Sequence, residues 1–64
     1  MMTQKTLEKL PSHVLEHIER LRTNYKRCRD ETNRLASYNY TLGLKDAGLI
    51  TEIERKALFV YTTI

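Results

Sequence analysis

Between Pro11 and Gly43 the chain contains neither glycine nor proline, and through that span its apolar or small neutral residues recur with a fixed beat. Val14, Ile18, Leu21, Tyr25, Cys28, Thr32 and Leu35 are separated by alternating steps of four and three. That alternation is the heptad rule: residues spaced this way fall on one narrow line along a helix, the seam of a coiled-coil-like contact. Val14, Leu21, Cys28 and Leu35 take one core register, and Ile18, Tyr25 and Thr32 the other. Arg22, Asn24, Arg29 and Glu31 flank the middle of the seam, so only the line itself is apolar there. A narrow stripe suits a single partner helix, whereas a broad one packs against several elements of its own domain.

Pro11 followed by Ser12 marks the start of this helix, since proline fits a first turn and serine caps free N–H groups. The expected element is one long helix over residues 12–40. Residues 1–10 are polar, with Leu7 and Leu10 as the only large anchors, and read as a partly ordered arm. The remainder, 41–64, reads as a helical hairpin. Gly48-Leu49 has the form of a left-handed C-cap with its apolar follower. Thr51-Glu52-Ile53-Glu54 has the form of a capping box. In the helix that follows, Ile53, Ala57, Val60 and Ile64 line one face, while Leu58, Phe59 and Tyr61 fall to its sides.

Size makes the question of cover acute. A helix of about 28 residues is about 42 Å long, whereas a compact chain of this length has a radius of gyration of about 11 Å. With 64 residues and one cysteine, Cys28, the chain has no internal disulfide to compensate for a small core. The sequence therefore predicts an all-α single domain over 1–64, assembled as a homo-oligomeric helical bundle. Its expected interface is Val14, Ile18, Leu21, Tyr25, Cys28, Thr32, Leu35, Ile53, Ala57, Val60 and Ile64.

Several patterns bear on chemistry. His13-Val14-Leu15-Glu16-His17 matches the inverted zinc-peptidase pattern, but a catalytic zinc needs a third protein ligand and a cleft. The sequence offers neither, so no enzyme activity, metal or cofactor is expected. Cys28 has no nearby histidine to activate it as a nucleophile and reads as a small seam hydrophobe. Tyr38 and Tyr40 cannot both point inward from one helix; the outward one, next to Leu42 and Leu44, is a candidate anchor for a protein partner. The chain carries a net +3 at neutral pH. Arg20, Arg22, Lys26, Arg27, Arg29 and Arg34 form a candidate basic flank for nucleic acid. No segment resembles a signal peptide or a membrane span, and the expected location is the cytoplasm, with Cys28 reduced.

The run Leu44-Lys45-Asp46-Ala47-Gly48-Leu49-Ile50-Thr51-Glu52-Ile53-Glu54 resembles the pattern of short C-terminal oligomerisation modules: a short helix, Gly-Leu-Ile-Thr, then an acidic helix start. That resemblance implies self-association through the hairpin. In size and helicity the whole chain is similar to small accessory proteins of the lambdoid phage early region, encoded between recombination and excision genes. This implies a host-modulating or developmental role exercised by contacts, in the host cytoplasm. The functional expectation is a non-enzymatic interaction protein that self-associates; the alternative is a small DNA-binding or transcription-modulating protein using the basic flank.

Overall fold

The computed structural model describes residues 2–64, with side chains from Gln4 onward, and contains four helices: α1 (Met2–Glu8), α2 (Ser12–Arg27), α3 (Glu31–Asp46) and α4 (Glu52–Thr62). The all-α expectation holds at this level. The single long helix does not: it is interrupted at residues 28–30, where Cys28 and Asp30 adopt extended backbone. The cause is local side-chain chemistry. Asp30 accepts the Asn33 N–H at 2.9 Å and so caps a new helix. Asn33 in turn donates its side-chain amide to the Cys28 carbonyl at 2.7 Å and the Asn24 carbonyl at 3.4 Å, satisfying the end of α2. Two side chains thus finish one helix and begin the next without glycine or proline.

This elbow resolves the problem of cover. Two helices of 16 residues replace one of 28, and the chain folds back to a radius of gyration of 10.7 Å with a longest extent of 28 Å. Its surface of 4250 Å² matches the value of about 4,300 Å² typical of a compact monomer of this mass. The core joins Leu10, Val14, Ile18, Leu44, Ile50 and Leu58, with Leu7, Leu15, Tyr40 and Tyr61 packed against it. Val14, Ile18 and Leu21, expected at an oligomer interface, are buried within the chain itself. Past Leu21 the seam fades: Tyr25 is half-buried near the end of α2, and from the elbow onward Cys28, Thr32 and Leu35 are exposed. Leu21→Asp would therefore unfold the chain rather than merely separate copies.

The N-terminal segment, expected as a partly ordered arm, is α1 over Met2–Glu8, and it packs against α4; Met1 lies outside the described residues. Glu54 fastens this contact. Its carboxylate accepts the Lys9 ammonium at 2.8 Å and the Thr6 hydroxyl at 3.2 Å. At the start of α2, Pro11 rather than Ser12 is the N-cap, its carbonyl accepting the Val14 and Leu15 N–H groups; no serine cap forms.

The turn between α3 and α4 follows the sequence reading closely. Leu42 and Leu44 belong to the tail of α3, not to a separate helix. The Gly48 N–H donates to the Lys45 carbonyl and the Leu49 N–H to the Leu44 carbonyl, a Schellman motif with Gly48 at φ 79°. A side chain at that φ is disfavoured by clash of Cβ with the backbone, which is why glycine occupies the turn. The Thr51–Glu54 capping box is present in both directions.

Candidate interaction surface

Helix α4 touches all three other helices, and its circumference divides cleanly. Arg55, Leu58 and Thr62 are buried toward the core. At about 100° per residue, Ile53, Ala57 and Val60 fall within about 60° of each other and roughly 160° from that buried face, and Ile64 follows just past the helix end. These residues face outward: Ile53 is 65% exposed, Val60 54% and Ile64 62%, with Ala57 half-buried. Steps of four, three and four between these residues repeat the seam rule, here on a surface the chain does not cover.

Both flanks of α4 are fixed in place. On one side Glu54 holds α1, and the Tyr61 hydroxyl donates to Glu19 at 2.6 Å while the Arg22 guanidinium lies 4.6 Å from the Tyr61 ring centre. On the other, Arg55 makes a two-point bond to Glu52, at 2.8 and 2.9 Å, beneath the Tyr38 ring, and Lys45 reaches Glu52 from α3. Hydrogen bonds from Lys9 first, then from the Thr51 N–H, hold the Glu54 carboxyl down at about 2; Arg55, then Lys45, does the same for Glu52. The stripe is therefore presented on a braced helix, which limits the ordering cost of binding through it.

The two candidate anchors separate. Tyr40 is half-buried, stacked on His17 with ring centres 4.0 Å apart, and burial pushes its hydroxyl pKa up. Tyr38 is exposed, edge-on to Phe59 at 6.0 Å, and shares a flank of α3 with exposed Leu35 and half-buried Leu42. Tyr38 thus remains accessible and Tyr40 serves the interior. Tyr38 meets Phe59 and Arg55 of α4, and exposed Leu35 lies three residues before it on α3.

The six basic residues do not form one stripe. Arg20, Arg22, Lys26 and Arg27 spread over about 160° of α2 at about 100° per residue. Arg22 is engaged inward with Tyr61, and Arg34 pairs with Glu31 in the first turn of α3. Arg29 lies over Tyr25 and donates to the Ile64 carbonyl at 3.2 Å. Arg20 lies 3.2 Å from the His17 ring. Lys26 and Arg27 have no ion-pair partner among the described residues and project from the last turn of α2, where cations also complement the helix C-terminus.

His17 is committed to its contacts with Tyr40 and Arg20, and among the described residues no group of three or more His, Cys, Asp or Glu side chains is arranged to hold a metal ion. Cys28 is exposed rather than a core hydrophobe; its thiol donates to Asp30 at 3.2 Å, and that bond raises its pKa above the ordinary thiol value. Among the described residues no helix is long and apolar enough to cross a membrane. Comparison with protein-family models, curated proteins and solved structures gave no match for this chain.

Proposed function

We propose that this chain is a non-enzymatic interaction protein that self-associates and modulates another macromolecule by protein contact, working through the outer face of α4. The single observation that carries this reading is the exposed stripe Ile53–Ala57–Val60 on α4, continued by exposed Ile64 past the helix end, on a helix whose opposite face is buried against the other three helices. Scattered apolar residues are ordinary on protein surfaces, but a contiguous line of them at heptad spacing is what helix-on-helix docking uses. Tyr38 and Leu35 extend the same apolar character onto α3, and aromatic side chains are favoured anchors at protein interfaces.

The likeness to lambdoid phage accessory proteins supplies the setting for this proposal: a host cytoplasm, and a host or phage protein as the modulated partner. Affinity capture from a lysate of the natural host tests it. Tagged wild-type protein should retain a defined partner that a Val60→Asp bait loses at unchanged helicity. Equal recovery on both baits would show that α4's outer face is not the contact.

A further inference from the structure

The elbow between α2 and α3 gathers the charge of the molecule. Residues 20–34 hold six of the eleven cations and two of the eight acids, +4 in net, so the rest of the chain is −1 against a total of +3. Both of those acids are engaged: Asp30 with the Asn33 N–H and the Cys28 thiol, and Glu31 with Arg34. Beside them opens a cavity of about 300 Å³ lined by Asn24, Arg27, Cys28 and Asn33. The Arg27 guanidinium and the Asn24 side-chain amide have no hydrogen-bond partner among the described residues, while Asn33 is held by the elbow itself. Lys26 and Arg29 adjoin the cavity in the chain.

We infer that this elbow is a phosphate-binding site and that its ligand is the phosphodiester backbone of duplex nucleic acid. The inference stands on the charge placement and the cavity, and is independent of the α4 reading. Arginine, lysine and asparagine are the side chains that contact backbone phosphates, with Arg offering a planar fork and Asn a neutral donor. The lining contains no aliphatic or aromatic side chain, so it lacks the apolar anchor that a protein partner would use. Lys26, Arg27 and Arg29 would give three phosphate contacts, Arg29 by exchanging the Ile64 carbonyl for a phosphate oxygen, and none reads a base edge, so recognition is independent of sequence. Each contact releases condensed counterions, so the logarithm of affinity should fall with the logarithm of salt at a slope of about −2.7.

Titration of isotope-labelled full-length protein with a random 16-base-pair duplex, followed by NMR, tests this directly. Amide signals of Asn24, Arg27 and Asn33 should move. Affinity should fall about 40-fold between 50 and 200 mM salt, the fourfold change implied by that slope. Lys26→Gln/Arg27→Gln should reduce the slope to about −0.9, whereas Lys5→Gln/Lys56→Gln, with the same change in net charge, should leave it at about −2.7. The wild-type signals report the site without any variant, so a variant that fails to fold leaves the test intact. Absence of movement at those residues, equal slopes for the two double variants, or a polyglutamate peptide that binds there as tightly as the duplex would each overturn the assignment.

Discussion

Leu58 and Val60 sit two residues apart on α4 and face opposite surroundings, so truncating each to alanine separates the two faces of the helix. Leu58 is fully buried at the junction of the core cluster, and Val60 is 54% exposed. Leu58→Ala removes three carbon atoms from a dry site; at about 0.8 kcal/mol per buried carbon, transfer alone costs about 2.4 kcal/mol. A residual cavity raises the total to about 3–4 kcal/mol. A domain this small has a stability of about 3–5 kcal/mol, so Leu58→Ala should leave a chain near its unfolding midpoint in plain buffer at 25 °C. Val60→Ala loses part of an exposed side chain and should shift stability by no more than about 0.5 kcal/mol in the monomer. Urea denaturation followed by circular dichroism, at protein concentrations spanning two decades, measures both and separates folding from association. Comparable losses for the two variants at the lowest concentration would mean that α4 is buried on the face shown here as open.

Three further perturbations probe the fastenings. Asp30→Ala removes the cap that begins α3 and should cost about 1 kcal/mol in urea denaturation; a gain in stability would mean that α2 and α3 run on as one helix. Ser37 is completely buried with its hydroxyl unpaired among the described residues, so Ser37→Ala should raise the melting temperature or leave it unchanged, and a clear fall would reveal a partner for that hydroxyl. The Glu54 carboxyl, held at about 2 against an ordinary 4.5, contributes stability that is complete above about pH 4.5 and lost as pH falls toward 2. Glu54→Gln should therefore flatten part of the melting-temperature profile between pH 5 and 2, with Glu52 supplying the part that remains; an unchanged profile would show that Lys9 and Thr6 do not stabilise the carboxylate.

The parts of the fold legible in the sequence are those fixed by local backbone chemistry. Gly48 at a position of positive φ and the reciprocal Thr51–Glu54 bonds depend on residues within one turn, and both are as their spacing implies. The elbow was legible in principle and masked in practice. Asp30-Glu31 after the basic pair Lys26-Arg27 carries a helix stop and start: cations in a last turn, then a capping aspartate and a glutamate in a first turn. An uninterrupted heptad and the absence of glycine or proline outweighed that signal. The step rule counts positions and is blind to a three-residue break that shifts phase, so Cys28, Thr32 and Leu35 were placed on a seam that ends at Leu21. The outer stripe of α4 was readable because Ile53 to Val60 lies within a single unbroken helix, where spacing and face are the same thing; Ile64 follows the helix end at Thr62. The basic flank is divided for the same reason as the seam: α2 stops at Arg27, so Arg29 falls in the elbow and Arg34 on α3.

The chain completes its own core, and we propose that it offers the outer face of α4 to a second copy. Sedimentation equilibrium of the wild-type chain and of Val60→Glu, over micromolar to millimolar concentration, tests it most directly. The claim predicts a folded 7.6 kDa species at the dilute end, a mass rising toward twice that value with concentration, and a Val60→Glu chain that keeps its helicity but stays at the monomer mass. A wild-type mass fixed at the monomer value throughout, or a Val60→Glu chain that associates as the wild type does, would contradict it.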